Sequence, residues 1–269
     1  MTNSSPTAST RPLAVVTGAS SGIGYELAKQ FAKNGFDLLV TSTGEQIETV
    51  AEALQQLGAA VTTVQADLAT YDGVETLYQR IQAAGKPVDA IAINAGVGVG
   101  GAFIETDLQA ELNIIELNIA SSVHLAKRIV PDMVARHQGR ILFTSSIASQ
   151  MPGPFQAVYA ASKAFVHSFS QALRNELKDS GVTVTALMPG STDTNFFDRA
   201  EMKDTKVNKL PKDDPTEVAR MGFEALMDGK DSVLAESLLT KVAGTVSKIL
   251  PDPLKAELYR QVSKPEAAK

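Results

Sequence analysis

The chain has 269 residues, 44% of them hydrophobic, no cysteine and a formal net charge of −5. That length can bury a substantial core in one large α/β domain or two small ones. The lack of cysteine excludes disulfides, thiol nucleophiles and cysteine-ligated metals, and the acidic balance argues against broad binding to nucleic acid.

No stretch reaches the roughly 18 uninterrupted apolar residues of a membrane span. The opening MTNSSPTASTRP has no apolar run of the kind a signal peptide carries, so residues 1–11 are expected to be a flexible tail on a cytoplasmic protein. Leu13-Ala14-Val15-Val16-Thr17 then reads as a buried strand, and Gly18-Ala19-Ser20-Ser21-Gly22-Ile23-Gly24 follows at once. A helix comes next, its apolar stripe formed by Leu27, Ala28, Phe31 and Ala32. Strand, glycine turn and helix together place backbone N–H groups and a helix N-terminus against an anion, commonly a pyrophosphate. Gly18 permits the tight turn, Gly22 lets a ligand approach the backbone, and Gly24 lets helix pack closely on strand.

The alternation continues. Residues 37–41 read as a strand, 45–57 as a helix, 60–65 as a strand ending at Asp67 and Leu68, and 73–83 as a helix. Residues 88–93 form another strand, closing on Asn94-Ala95-Gly96. Strands spaced this way between helices predict right-handed crossovers and a parallel sheet. Ligands bind such sheets at the carboxyl ends of the strands.

Between Ile104 and His137 lies a long helical region containing Asn118, a polar residue that can cap or bend a helix. Ile141-Leu142-Phe143 is a buried strand running into Thr144-Ser145-Ser146, and a Gly/Pro-rich loop leads to a helix from about Ala157 to Asp179. Tyr159 and Lys163 stand four residues apart on one face of it. Tyr25 and Lys29 show the same spacing, but only Tyr159 has a strand-end serine upstream across a loop.

Residues 182–188 form the next strand, followed by Pro189-Gly190 and Ser191-Thr192-Asp193-Thr194. Residues 196–214 are charged and irregular, either a mobile substrate lid or an ordinary surface loop. Pro215 opens a helix through Leu226, and 231–235 reads as the final strand. Residues 237–250 carry apolar side chains at helical spacing, a face that packs on its own domain, covers an apolar substrate or forms a subunit interface. Pro251 and Pro253 are expected to stop that helix, and 264–269 to be a tail. The single domain thus runs over 12–263. His124, His137 and His167 lack metal-ligand spacing, and Glu111, Glu116 and Glu176 read as solvated helix faces.

Thr17 to Gly24, Asn94-Ala95-Gly96, Ser146, Tyr159-xxx-Lys163 and Pro189-Gly190 occur in the order of the short-chain dehydrogenase/reductase family, and from about Leu13 to Val233 the chain resembles its single-domain branch. The resemblance implies an α/β Rossmann-like domain with a seven-stranded parallel sheet, helices on both faces, and nicotinamide-dependent oxidoreduction. It also implies that Asn118 bends its helix and holds a water leading protons towards Lys163, that Asp67 and Leu68 contact the adenine (a helix cap is the plainer reading of Asp67), and that Thr192 and Thr194 lie by the nicotinamide and phosphates. A homodimer or homotetramer packed through the Ile104 and Tyr159 helices is implied as well.

Free tyrosine has a pKa of about 10, and the positive charges of Lys163 and of an oxidised nicotinamide ring are expected to lower that of Tyr159. Tyr159 is then the general acid in carbonyl reduction and the base in alcohol oxidation, with Ser146 bonding the substrate oxygen and Lys163 also binding the nicotinamide ribose. An NAD site has an acid about 20 residues beyond the glycine turn. Here Val40-Thr41-Ser42-Thr43-Gly44 offers none before Glu45, so NADP is favoured, held by the hydroxyls of Ser42 and Thr43, with NAD the alternative. The substrate site is expected from 97–103, 150–155 and 196–214, segments that suit an uncharged, moderately apolar carbonyl. A non-catalytic nucleotide-binding regulatory protein on the same fold is the other reading.

Overall fold

The computed structural model describes residues 11–202, 204–209, 211–235 and 250–265. Seven strands form one parallel sheet: β1 (Leu13–Thr17), β2 (Asp37–Ser42), β3 (Val61–Gln65), β4 (Val88–Ile93), β5 (Gly139–Thr144), β6 (Val182–Pro189) and β7 (Ser232–Ala235). Their spatial order is β3-β2-β1-β4-β5-β6-β7. The chain therefore winds outward from β1 in one direction and returns to start the other half at β4. That reversal opens a crevice at the carboxyl ends of β1 and β4.

The inner strands β1, β2, β4, β5 and β6 are buried on both faces because helices cover both, whereas the edge strand β3 is partly exposed. Val15, Ile91, Ile141, Phe143 and Val184 point into one core, against α3 (Tyr71–Ala83), α5 (Ser121–Ala135) and α6 (Ala157–Glu176). Ala14, Val16, Ala90, Leu142 and Leu187 point into the other, against α1 (Gly22–Lys33), α2 (Gln46–Gln55) and α9 (Pro215–Met227). The alternation follows the two-residue repeat of a strand.

The helix expected across 104–137 is not uniform. It begins as α4 (Leu108–Ile114), widens into a π-helical segment (Ile115–Ala120) and resumes as α5. Such π segments gather at functional sites, and this one contains Asn118. The stretch 196–214 holds two short helices, α7 (Phe196–Arg199) and α8 (Lys206–Lys209), seated on a small cluster of Phe197, Ala200 and Met202.

Two expectations are corrected, one at the chain's start and one on α4. Arg11, counted with the tail from sequence, is anchored: its guanidinium donates to the carbonyls of Ala32, Gly35, Phe36 and Gly58. Pro251 and Pro253 also open a helix, α10 (Asp252–Ser263), because proline is compatible with a helix's first turn, while the helix they were expected to stop falls outside the described residues. Glu111 is buried and accepts a hydrogen bond from Thr106 Oγ1 at 2.8 Å, while Glu116 and Glu176 are exposed as expected. The amphipathic stretch 237–250 lies outside the described residues except for Leu250, as do 266–269 of the expected tail. Among the described residues no helix is long and apolar enough to cross a membrane, and no group of three His, Asp or Glu side chains could hold a metal.

Candidate active site

The crevice at the sheet's switch point is a cleft of about 490 Å³. Its floor is the carboxyl edge of the sheet, held together by Thr17. The Thr17 hydroxyl accepts from the backbone N–H of Asn94 and of Ala95 at 2.9 and 3.0 Å, and Asn94 Nδ2 returns a bond to the Thr17 carbonyl. Thr144, at the end of β5, donates to Asn94 Oδ1 at 3.1 Å. One asparagine thus joins the ends of β1, β4 and β5.

The glycine turn packs as its spacing demands. Gly18 has φ 65° and a side chain there would meet the Ala95 backbone at 2.9 Å. A methyl on Gly24 would collide with the Gly18 carbonyl and with Asn94 Nδ2, so only glycine brings α1 this close to β1. Ser21 caps α1 without a side-chain hydrogen bond, leaving the first-turn N–H groups for a ligand. At Gly22 an added Cβ would lie 2.9 Å from Thr194 Cγ2, which brings the turn after β6 over the glycine loop.

The predicted residues converge. Gly18, Ser20, Ser21, Gly22, Ile23, Gly24, Ser42, Thr43, Asp67, Leu68, Asn94, Ala95, Gly96, Ser146, Tyr159, Lys163, Pro189, Gly190, Thr192 and Thr194 all line this one cleft. Asn118 does not. It sits behind the wall, where Oδ1 accepts from Val97 N and Nδ2 donates to Val97 O and Ser162 Oγ, all at 2.9 Å. Its side chain pins the loop after β4 to the π segment. The Ser42 hydroxyl donates to the Gly44 carbonyl at 3.1 Å within its own turn. Asp67 caps its turn, accepting from Ala69 N at 3.0 Å, and lines the cleft as well.

Ser146, Tyr159 and Lys163 are buried together at the end of β5. Ser146 Oγ accepts from Ala148 N at 3.1 Å, which orients it, and it hydrogen-bonds with the Tyr159 phenol. Lys163 Nζ donates to the Thr144 carbonyl at 2.9 Å, and Ser145 Oγ donates to the Lys163 carbonyl at 2.8 Å. Gly96 makes room for both buried partners, since a Cβ there would lie 3.1 Å from Lys163 Nζ and from Asn118 Oδ1.

The expected lowering of the Tyr159 pKa is not what the fold produces. Burial pushes the phenol up to about 12, opposed in part by its hydrogen bond with Ser146. Burial likewise pushes the Lys163 ammonium down to about 8. Desolvation penalises whichever form is charged, and here it outweighs any attraction between the two.

Sequence reasoning missed part of the substrate side. Val97, Phe196, Phe197 and Arg199 line the cleft as expected, but none of 150–155 does; Asn113, Gln156 and Tyr259, not read from sequence, line it as well. The loop 150–155 serves as the seat of α10: Ser263 Oγ donates to the Pro154 carbonyl at 2.7 Å, and Arg260 stacks over Phe155. Prolines at 251 and 253, which suit a helix's first turn as well as a stop, are the signal that could have found α10.

A parallel doubly wound sheet with a glycine turn after β1 and a buried Ser-Tyr-Lys group beside it defines an α/β dehydrogenase. The comparisons with known proteins narrow that class. The family profile described as short chain dehydrogenase matches residues 12–205. An oxidoreductase of Bacillus subtilis, YmfI, is 32% identical over 189 residues, covering 69% of this chain and 77% of its own. The rat dehydrogenase/reductase SDR family member 7B is 31% identical over 252 residues, covering 88% of this chain and 77% of its own. Among solved structures, a short-chain dehydrogenase from Sphingobium yanoikuyae in complex with NADPH superposes with a TM-score of 0.79 at 27% identity, covering 89% of this chain and 96% of that one. The chain belongs to the short-chain dehydrogenase/reductase family.

Proposed function

We propose that this protein is an NADPH-linked reductase of a ketone or aldehyde, running in reverse as a secondary-alcohol dehydrogenase, with Tyr159 as general acid and base. The observation that carries this reading is the opening of the buried Ser146, Tyr159 and Lys163 into the same cleft as the glycine turn.

The cleft fits a nicotinamide dinucleotide. The glycine cradle, the uncapped start of α1 and the sheet edge between Gly18 and Asn94 suit a pyrophosphate, and the Sphingobium relative binds NADPH in its own structure. The described residues lining the cleft include one carboxylate, Asp67, and it follows β3; none stands at the end of β2, where a carboxylate would repel a 2′-phosphate. The cofactor, when bound, supplies the hydride.

The chain's own residues handle the proton. Tyr159, a phenol that stays protonated at neutral pH and is held so more firmly by burial, donates to the substrate oxygen in reduction. Ser146, oriented by Ala148 N, donates to the same oxygen and stabilises its developing charge. Lys163 holds its place through Thr144 O and would bind the nicotinamide ribose of the cofactor. Asn118, holding Val97 and Ser162, is a positioning residue for this group and for the proton path behind Lys163.

Oxidation of NADPH and NADH over a panel of ketones and aldehydes tests the reading. The wild-type chain turns over at least one carbonyl, and Tyr159→Phe lowers kcat by about 10²–10⁴ while NADPH binding stays within a few-fold. Near-normal turnover by Tyr159→Phe would remove Tyr159 from its role. Coenzyme binding without turnover of any carbonyl would favour the regulatory reading.

A further inference from the structure

Tyr259 is a second phenol in the cleft, and no motif marks it. It stands on α10 and packs in the same apolar cluster as Tyr159, Ala160, Ile114 and Ala148. Burial pushes its pKa up, and so does its closeness to the Tyr159 phenol.

The direction of its hydrogen bond follows from its neighbours. The buried Gln156 amide lies between Met202 Sδ and the Tyr259 hydroxyl. A thioether sulfur carries no proton and can only accept, so Gln156 Nε2 faces Met202 and Oε1 faces Tyr259. The phenol is therefore the donor, at 2.5 Å from Oε1. Its proton is engaged, and its oxygen can offer a ligand nothing but lone pairs. A ketone or ether oxygen gains nothing at that point, whereas a hydroxyl has a proton to give.

We infer that Tyr259 is a substrate-positioning residue that accepts a hydrogen bond from a substrate hydroxyl, so that the preferred carbonyl compound is a hydroxyketone or hydroxyaldehyde. The inference rests on the reductase reading and names its substrate class. The nearby wall of Val97, Ala148 and Phe196 is apolar. A substrate hydroxyl buried there must find a partner or lose its hydration without return. Tyr259, tied to Gln156 from a distant helix, is a rigid partner of the kind that selects for a hydroxyl.

The test is kcat/KM for two isosteric ketones, 1-hydroxybutan-2-one and pentan-3-one, in which a hydroxyl replaces a methyl. The wild type favours the hydroxyketone. Tyr259→Phe lowers the hydroxyketone-to-alkylketone ratio about tenfold, the worth of one hydrogen bond. Ser263→Ala, which frees α10 from Pro154, lowers both values together and leaves the ratio in place. An equal loss on both ketones in Tyr259→Phe would make Tyr259 a packing residue and overturn the inference. A wild-type ratio near one would overturn it without any variant. A wild type inert towards every carbonyl would instead overturn the reductase reading, and this inference with it.

Discussion

The Nζ of Lys163 lies 5.8 Å from the centre of the Tyr159 ring, one helical turn away, and burial drives the two groups in opposite directions. The phenol rises to about 12 and the ammonium falls to about 8. Both shifts favour the neutral form, as expected for two ionisable groups deep in one wall. The protein therefore holds its acid protonated, ready to donate, and carries a cation poised to lose its charge.

That arrangement has a stability signature. The ordinary lysine value is 10.5 and the folded value about 8, so between these the unfolded chain binds more protons than the folded one. Stability consequently rises with pH from about 8 to 10.5, and below 8 the full cost of the buried cation remains, on the order of 3 kcal/mol. Tyr159 acts the other way, its contribution being lost as pH rises from 10 to about 12. Urea unfolding of the wild type and Lys163→Met between pH 7 and 10 reads the first effect. The wild type gains on the variant as pH rises; parallel curves would mean that Lys163 is not desolvated.

Ser42 stands at the end of β2 with its hydroxyl turned to Gly44 O. A carboxylate there would repel a 2′-phosphate and accept from a ribose 2′-hydroxyl. Ser42→Asp is expected to shift the ratio of NADPH to NADH dissociation constants at least ~10-fold towards NADH. Fluorescence titration with both coenzymes measures it, and an unchanged ratio would show that the adenosine end lies elsewhere.

Leu108, Leu112 and Ile115, spaced four and three apart, are 70%, 42% and 39% exposed, and Phe165 on α6 is 41% exposed. Apolar residues so clustered on the two helices are the material of a subunit interface. We expect a homodimer or homotetramer by light scattering, and a monomer for the Leu112→Asp, Phe165→Asp double variant with its thermal melt retained. A monomeric wild type would end this assignment.

Much of this was legible along the chain. The inner strands, buried on both faces, are written as nearly continuous apolar runs, and the edge strand β3 as β-branched residues between helical stretches, so each of the seven could be found within a residue or two of its ends. The glycine turn was legible because the steric demand at Gly18 and Gly24 is local and leaves few alternatives. α10 was hidden because Ser263 is its one buried residue, which leaves almost no apolar stripe to read. Glu111 was misread because nothing in helical spacing tells a carboxylate that turns inward to Thr106 from one that meets solvent.

The sequence by itself determined the alternation of strands and helices, the anion-binding turn, and the shared face of Tyr159 and Lys163, all properties of residues a few positions apart. Only the tertiary structure decided the proton affinities, since desolvation depends on what packs around a group. It also placed Asn118 behind the wall and joined Tyr259 to Gln156 across 103 positions of chain. Such contacts have no period to betray them, because they arise when separate elements meet.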